Sequence, residues 1–295
     1  MRIRCRLLSR NIRNTTIIIQ EGENFDLQKI NLDKEDENVF LEVYVADKLK
    51  GFTRNAIRVI PGGGYGGVCS DREGEPIAMA FMPYGYNAFV LHYSVRENSK
   101  KIFPAQLIQA SMAMKHIKDH AEEYNINPEK VFVTGFSAGG HLTASLGTMW
   151  DKKEIYEAID MPYGYNKPAG IMPVYPVISG VEGVAHEGSI YNLCGTETPT
   201  EEQRKMVSIE KHVTEKASPA YIVHTSNDQA VHVKNSLALA GAYADAGLPF
   251  ELHIYPDGPH GMALGNSITE CGVKKYNNPC FAKWVENAVM WAENI

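Results

Sequence analysis

The stretch GFSAG, residues Gly135–Gly139, decides the fold class. It is preceded by the apolar, β-branched run Lys130–Thr134 and followed by the small and apolar residues Gly140–Leu146, so it lies between a predicted buried strand and a predicted helix. A turn this sharp leaves no room for side chains on either side of the serine, and the glycines meet that requirement. Ser137 is then forced into a strained conformation with its hydroxyl exposed above the sheet, which is the geometry of a nucleophile elbow.

Length and composition indicate one large α/β domain. The chain has 295 residues, of which 44% are hydrophobic, and this is enough to bury a substantial core. We therefore expect residues 1–295 to form a single domain. The net charge of −6 argues against a nucleic-acid binder, because such proteins have a basic surface. The arginines near the N-terminus are expected to be solvated.

Cellular location and redox state follow from the apolar runs and the cysteines. No run reaches the ~18 apolar residues of a membrane span, and Thr15–Ile19 is too short for the core of a signal peptide. The five cysteines are odd in number and lack C-x-x-C spacing, which is typical of reduced thiols and not of a zinc site. We therefore expect a cytoplasmic protein with no metal and no membrane contact.

Strand-like and helix-like segments alternate along the chain, as in a mostly parallel sheet with helices on both faces. Helices are predicted over Pro104–Tyr124, Asn235–Ala246 and Cys280–Glu293. A further helix is expected to begin at Ser70, which has capping-box spacing to Glu73. The eight predicted strands are Thr15–Gln20, Leu41–Ala46, Ile57–Ile60, Ala88–Tyr93, Lys130–Thr134, Gly170–Tyr175, Ala220–Thr225 and Glu251–Tyr255.

Residues Val181–Val213 interrupt this alternation. The segment lies between two predicted strands and is too long for a simple crossover. We expect it to form a small lid or pocket wall, a kind of loop that often determines specificity. Tyr191 within it, and Tyr65 and Tyr93 near the motifs, are candidates for lining the pocket.

Three residues offer the chemistry that an exposed serine requires. A serine hydroxyl is a weak nucleophile at neutral pH, so it needs a base, and the base needs an orienting acid. After an elbow of this kind the order along the chain is serine, acid, histidine. Asp228 follows the predicted strand Ala220–Thr225, and His260 follows the predicted strand that ends at Tyr255. Both come after the carboxyl ends of strands, where α/β sheets have their sites, and we expect Ser137, Asp228 and His260 to form a catalytic triad.

Other ionisable side chains compete for these roles. Asp257 is a rival acid, but it lies only three residues before His260 and not between two strands, so Asp228 is preferred. His224 lies inside a predicted strand and is expected to be a buried histidine with satisfied hydrogen bonds. His232 is four residues after Asp228, and we expect it to perturb the acid.

A glycine-rich run follows the predicted strand Ile57–Ile60. Its sequence is PGGGYGG over Pro61–Gly67, and such glycines let backbone N–H groups approach a substrate oxygen closely. We expect the N–H of Gly63 or Gly64, together with that of Ala138, to form an oxyanion hole. A phosphate cradle is the alternative, but the run is neither G-x-G-x-x-G nor followed by GK[ST].

With these motifs in this order, the chain resembles the α/β-hydrolase superfamily. It is most similar to the bacterial esterases that include acetyl xylan and acetyl/feruloyl esterase-like proteins. The resemblance extends from Leu41 to His260, and besides the motifs above it rests on Glu73–Ala78 and Gly85–Val90. It implies the α/β-hydrolase fold and hydrolysis of short-chain, above all acetyl, esters through an acyl-serine. It also implies acetylated sugars or xylo-oligosaccharides as substrates, and no cofactor.

Two positions depart from the patterns of related hydrolases. Pro61 stands where the H-G-G-G motif has histidine, and His232 stands where members of the esterase group have proline. A peptidase of the prolyl oligopeptidase type and a non-catalytic binding protein on the same fold stay open as alternatives. No pair of carboxylates is singled out for glycosidic cleavage. The expected partner is a small-molecule ester, and a homo-oligomer is left open.

Overall fold

The computed structural model describes residues 28–295, and an eight-stranded sheet runs through them. The strands are β1 (Gln28–Asn31), β2 (Phe40–Tyr44), β3 (Arg54–Ile60), β4 (Tyr86–His92), β5 (Ile126–Phe136), β6 (Ile171–Val174), β7 (Ala220–Thr225) and β8 (Phe250–Tyr255). Their order across the sheet is β1-β2-β4-β3-β5-β6-β7-β8. β2 pairs antiparallel with β1 and with β4, and the other pairs are parallel.

Strands β2 to β8 correspond to seven of the predicted strands, with ends that differ by up to four residues. The eighth predicted strand, Thr15–Gln20, lies outside the described residues. β1 is an addition to the prediction. Three of its four residues are polar and it is mostly exposed, so it lacks the apolar pattern of a buried strand. The mostly parallel sheet that the sequence predicts is confirmed.

Helices cover both faces of the sheet. Side chains of β3 alternate between the two faces, with Ala56 and Ile60 in one apolar cluster and Ile57 and Val59 in the other. The helices are α1 (Ser70–Glu73), α2 (Glu75–Phe81), α3 (Ala105–Asp119), α4 (Ala138–Met149), α5 (Lys153–Tyr156), α6 (Glu187–Cys194), α7 (Glu201–Met206), α8 (Lys234–Asp245) and α9 (Trp284–Glu293). The first cluster includes residues of α3, α4 and α8, and the second includes residues of α2 and α9. Within residues 28–295, no helix has the length and apolarity needed to cross a membrane.

The helix predicted to begin at Ser70 differs from the expectation in two ways. The prediction of a capping box is wrong, because the N-cap residue of α1 is Cys69 and no side chain makes a capping hydrogen bond. The Glu73 carboxylate is instead buried and accepts hydrogen bonds from groups outside the helix. Gly74 then separates α1 from α2, so the single predicted helix is two short ones.

The predicted site residues gather at the carboxyl ends of the parallel strands. Ser137 follows β5 directly, and the glycine-rich run Pro61–Gly67 follows β3. Asp228 and His260 follow β7 and β8 within five residues. Because these strands are parallel members of one sheet, their carboxyl ends meet at one edge. The fold therefore brings segments far apart in the sequence to the same place.

Candidate active site

Ser137 lies at the turn between β5 and α4 in a strained backbone conformation. Its φ of 53° and ψ of −116° are outside the regions that an L-residue ordinarily adopts. The strand and the helix approach closely on both sides of it. A Cβ on Gly135 would clash with Thr143 Oγ1, and one on Gly139 would clash with Ile60 O. Glycine is therefore required at both positions, and the turn has the geometry of a nucleophile elbow.

Ser137, His260 and Asp228 form a continuous hydrogen-bonded chain. His260 Nε2 lies 2.8 Å from Ser137 Oγ, and His260 Nδ1 lies 2.7 Å from Asp228 Oδ2. A carboxylate only accepts, so Nδ1 donates to Asp228 and Nε2 accepts from the serine hydroxyl. The Asp228 side chain is fully buried, whereas that of His260 is 21% exposed. The acid is thus sealed from water while the imidazole reaches the surface of the site.

Asp228 is held in its ionised form by several donors. Oδ1 accepts the N–H groups of Ala230 and Val231 at 2.9 and 3.0 Å, and His224 Nε2 lies 3.4 Å from Oδ2. Burial by itself would raise the pKa of Asp228. The hydrogen bonds from His224, His260 and the backbone outweigh burial and hold that pKa well below its ordinary value. Asp228 is therefore a carboxylate throughout the neutral pH range.

The contact of His224 with Asp228 corrects the prediction for His232. His224 is buried, with Nδ1 2.7 Å from Ser236 Oγ and Nε2 3.0 Å from Val231 O, so it is the satisfied histidine that the sequence predicts. It is also a further neighbour of the acid, which the sequence does not predict. His232 is exposed, and its Nδ1 accepts a backbone N–H. Besides His260, the histidine that contacts Asp228 is His224, because the turn after β7 folds back over the strand.

Asp257 is not placed to act as the acid partner of His260. The rival acid Asp257 is exposed, and its carboxylate accepts a hydrogen bond from the Asn227 amide. It makes no hydrogen bond with His260, whose carboxylate partner is Asp228. Within residues 28–295, no three His, Cys, Asp or Glu side chains are grouped so as to hold a metal ion.

The glycine-rich run lies against the elbow. A Cβ on Gly62 would be only 3.0 Å from the Cβ of Ser137, so the backbone of Gly62 packs directly against the elbow. Gly63 and Gly64 have φ of 126° and 64°, values that glycine adopts without strain. No described residue accepts a hydrogen bond from the N–H of Gly63, Gly64 or Ala138. These three predicted donors are free to bind a ligand oxygen.

Glu73 and Tyr175 belong to the site although neither is predicted there. Glu73 Oε2 accepts the N–H of Gly62 at 2.8 Å, and Oε1 accepts the Tyr175 hydroxyl at 2.9 Å. The Tyr175 oxygen accepts the N–H of Ala263 at 2.9 Å, and the Tyr175 and His260 ring centroids are 4.8 Å apart. Burial raises the pKa of Glu73, and its hydrogen bonds offset only part of that effect. The two side chains join the glycine-rich run to the loop that bears His260.

The segment 181–213 contains α6 and α7 and lies against the glycine-rich run. Asn192 of α6 donates from Nδ2 to Gly64 O at 2.9 Å. The two helices are joined by an ion pair of Arg204 with Glu187, at 2.9 Å between Nη2 and Oε2. α6 is therefore a wall next to the candidate donors.

The three tyrosines proposed to line a pocket lie in different surroundings. Tyr65 and Tyr93 are 1% and 0% exposed. Their hydroxyls lie 2.7 Å from His141 Nδ1 and 2.9 Å from Pro61 O. For these two the prediction is wrong, because both side chains are buried, with the Tyr65 hydroxyl bonded to α4 and the Tyr93 hydroxyl bonded to the first residue of the glycine-rich run. Tyr191 is half-buried on α6 and borders a cavity.

Comparison with known proteins agrees with this geometry. A family model described as BD-FAE matches residues 41–243. Over 216 residues the chain is 37% identical to the endo-1,4-beta-xylanase B of Butyrivibrio fibrisolvens and, over an equal length, 31% identical to the acetylxylan esterase of Xylanibacter ruminicola. These stretches cover 72% and 71% of this chain but 33% and 41% of the two relatives. The chain thus spans less than half the length of either.

A solved structure extends the likeness over nearly the whole chain. The acetyl ester-xyloside bifunctional hydrolase from Caldicellulosiruptor lactoaceticus is 32% identical, with a TM-score of 0.76. The superposition covers 90% of this chain and 96% of that one. These likenesses confirm the resemblance that the motifs indicate: the chain belongs to the BD-FAE family and has the α/β-hydrolase fold.

Proposed function

We propose that the protein is a serine carboxylesterase that hydrolyses short-chain acyl esters, above all acetyl esters. The observation that supports this most is the hydrogen-bonded chain from Asp228 through His260 to Ser137, next to free backbone donors. Acyl transfer requires a hydroxyl beside a neutral imidazole that a buried carboxylate orients. Membership of the BD-FAE family and the esterase names of similar proteins add to the support.

The proposed reaction consists of two acyl transfers. Ser137 Oγ attacks the ester carbonyl while its proton passes to His260 Nε2. The oxyanion of the tetrahedral intermediate accepts the N–H of Ala138 and that of Gly63 or Gly64, each of which stabilises the transition state by roughly 3–4 kcal/mol. His260 then gives the proton to the departing alcohol oxygen, which leaves an acyl-serine. Water repeats these steps against the acyl-serine and releases the carboxylic acid and free Ser137.

Asp228 acts as an anion and not as a proton donor in this scheme. Its depressed pKa keeps it charged, so it orients the Nδ1 proton of His260 and stabilises the imidazolium. Glycosidic cleavage is not part of the proposal. That reaction needs two carboxyl groups beside the sugar, whereas the carboxyl groups of Asp228 and Glu73 are buried in hydrogen bonds to the protein.

Acetylated sugars, such as acetylated xylo-oligosaccharides, are the substrates that we propose. Two similar proteins are named for related substrates, one as an acetylxylan esterase and one as an acetyl ester-xyloside hydrolase. A cytoplasmic location belongs to the same proposal. The cysteines within residues 28–295 are free thiols, which agrees with a reducing compartment.

Hydrolysis of p-nitrophenyl acetate, butyrate and octanoate by the wild type and by Ser137→Ala tests the proposal. We expect the rate to be highest for acetate and to fall with acyl length. In Ser137→Ala it should drop by roughly 10⁴-fold or more, because the nucleophile is gone. Ser267→Ala removes an exposed serine hydroxyl and is the matched control, which should keep the wild-type rate. Circular dichroism verifies that each variant is folded.

A fluorophosphonate probe provides an independent readout of the nucleophile. It should label the wild type and Ser267→Ala but not Ser137→Ala. Equal ester turnover by the wild type and Ser137→Ala would exclude the acyl-serine. A folded wild type that neither hydrolyses esters nor reacts with the probe would favour a binding protein. Cleavage of a prolyl peptide without ester turnover would favour a peptidase.

A further inference from the structure

A cavity of about 400 Å³ lies beside the glycine-rich run. One of its walls is α6. Another is the segment around Arg96, whose N–H donates to Tyr65 O at 2.9 Å. We call this space the α6 cavity. It is lined by Arg96, Gly188, Tyr191, Asn192, Gly195, Thr196 and Glu197, an exposed glutamate that forms no ion pair with Arg96.

α6 links this cavity to the reaction centre. Near its C-terminal end, Asn192 holds the carbonyl of Gly64, whose own N–H is a candidate oxyanion donor. At its N-terminal end, His186 is the N-cap residue, and its side chain accepts the N–H of Ser189. Burial lowers the pKa of His186, the charge of His260 lowers it further, and that of Asp228 opposes the shift. Because Asn192 also lines the α6 cavity, a molecule bound there lies next to the glycine-rich run and its candidate oxyanion donors.

The lining of the α6 cavity offers donors, an acceptor and one aromatic ring. The Arg96 guanidinium donates to the carbonyl of Lys100 at 3.2 Å and has no carboxylate partner among residues 28–295, so it has further N–H groups to offer. Asn192 uses its amide on Gly64, and its Oδ1 accepts from no described group. Tyr191 is half-exposed. An alkyl chain gains little from these polar groups, whereas a polyhydroxylated ring can pair with them.

His186 adds a donor at the N-terminal end of α6, where its ring lies beside Gly188 of the cavity lining. Its Nδ1 lies 2.8 Å from the hydroxyl of Ser189 and accepts the Ser189 N–H at 3.3 Å. A neutral imidazole that accepts at Nδ1 has its proton on Nε2. Within the described residues nothing accepts that proton, so it can bind an oxygen of the substrate.

We propose that the α6 cavity binds the alcohol portion of the ester and that this portion is a sugar ring with free hydroxyls. The inference rests on the proposed esterase function and identifies the site that selects the substrate. The ring stacks on Tyr191, and its hydroxyls bond to Arg96 and to Asn192 Oδ1. Its acylated oxygen is directed towards His186 and Ser137. The acyl group remains at the glycine-rich run.

Substrate selectivity tests this inference. The ratio of kcat/KM for an acetylated xylo-oligosaccharide to that for p-nitrophenyl acetate isolates the sugar, because the second alcohol has no sugar hydroxyls. We expect Tyr191→Ala to lower this ratio about tenfold, mainly through KM for the sugar ester. Tyr191→Phe retains the ring and should restore most of the ratio. Tyr84→Ala, which removes an exposed tyrosine just before β4 and so at the opposite edge of the sheet, should leave it unchanged.

Binding without turnover separates the two proposals. Calorimetry of Ser137→Ala with an unacetylated xylo-oligosaccharide should show binding, and adding Tyr191→Ala should weaken it about tenfold. An unchanged selectivity ratio in Tyr191→Ala would overturn the sugar site, while continued hydrolysis of p-nitrophenyl acetate would leave the esterase function standing. A wild type that binds the oligosaccharide through Tyr191 but hydrolyses neither ester would overturn the esterase function alone.

Discussion

Asp228 and the rival acid Asp257 differ clearly in their surroundings. Its carboxylate is fully buried and accepts hydrogen bonds from two backbone N–H groups and from His260. Asp257 is exposed and bonded to Asn227. The two aspartates therefore differ in burial and in partner, although both precede His260 within the same part of the chain. Matched amide variants can separate their roles.

We predict that Asp228→Asn lowers kcat for p-nitrophenyl acetate by roughly 10³–10⁴-fold. An amide can donate to His260 Nδ1, so it holds the imidazole in the tautomer that cannot accept the serine proton. Asp257→Asn should keep a kcat close to that of the wild type, because no hydrogen bond connects it to His260. Steady-state kinetics on both variants, with thermal unfolding as the check on folding, make the comparison. Similar losses in both would contradict the role of Asp228.

At the scale of single residues, the order along the chain predicts which side chains form the site. It does not predict which other side chains contact them. Each of the three site residues, Ser137, Asp228 and His260, follows a strand that can be recognised from the sequence of that strand. The three side chains lie together in the structure. His224 is predicted to be buried because it lies within a strand. Its contact with Asp228 depends on how the turn after β7 folds back, and no local pattern specifies that path.

Among the elements, a buried carboxylate connects two loops of the site. Glu73 ends α1, Gly62 follows β3, Tyr175 follows β6 and Ala263 lies beyond β8. The Glu73 oxygens accept from Gly62 and Tyr175, and Tyr175 accepts from Ala263. Two of the three candidate oxyanion donors, Gly63 and Gly64, come directly after Gly62 in the chain. Glu73 therefore links that run to the loop that bears His260.

We predict that Glu73→Gln impairs both stability and turnover. Gly62 and Tyr175 both donate to this side chain, so an amide leaves one of them without an acceptor. The free energy of unfolding should fall by about 1–3 kcal/mol. For p-nitrophenyl acetate, kcat should fall about tenfold while KM stays nearly unchanged. This loss is smaller than the loss in kcat expected when an oxyanion donor is removed altogether, because the donors are displaced and not deleted. Urea unfolding and steady-state kinetics measure the two effects.

Glu75→Gln is the matched control for this prediction, since Glu75 is an exposed glutamate two residues further along. It should change neither the free energy of unfolding nor kcat. A loss of stability in Glu73→Gln without a change in kcat would show that Glu73 supports the fold and does not position the donors.

The partners of Glu73 could not be predicted from its local sequence. A glutamate three residues after Ser70 is equally compatible with a capping box and with a contact elsewhere. Gly62 and Tyr175 approach it because β3 and β6 flank β5 in the sheet, and strand order is not specified by any single segment. The periodicity of individual strands is local, which is why seven of them could be predicted.

Across the whole molecule, His141 connects three parts of the fold. It lies on α4, its Nδ1 is 2.7 Å from the hydroxyl of Tyr65 in the glycine-rich run, and its Nε2 is 2.8 Å from the carbonyl of Val207 after α7. A carbonyl only accepts, so Nε2 bears the proton and Nδ1 accepts from Tyr65. Burial lowers the pKa of His141 to about 4, against the effect of its hydrogen bond to Val207. The elbow helix, the glycine-rich run and the segment 181–213 thus meet at a neutral imidazole.

We predict that mild acid destabilises the fold through His141. In the unfolded chain a histidine binds a proton near pH 6.5, whereas folded His141 does so only near pH 4. Between these values the unfolded state binds more protons, so the free energy of unfolding falls as the pH falls. The loss amounts to about 2 kcal/mol between pH 7 and pH 4.5. Asp228 adds little to it, because the stability that comes from its depressed pKa is lost mainly once the pH falls below the ordinary aspartate value of 3.8.

Urea unfolding of the wild type and of His141→Gln at pH 7 and pH 4.5 measures this effect. Glutamine retains a donor for Val207 but cannot bind the proton, so the variant should lose about 2 kcal/mol less on acidification than the wild type. Burial also lowers the pKa of His116, His186 and His212. These histidines are present in both proteins, so their contributions cancel in the comparison. Equal losses in the two proteins would mean that His141 does not couple proton binding to unfolding in this range.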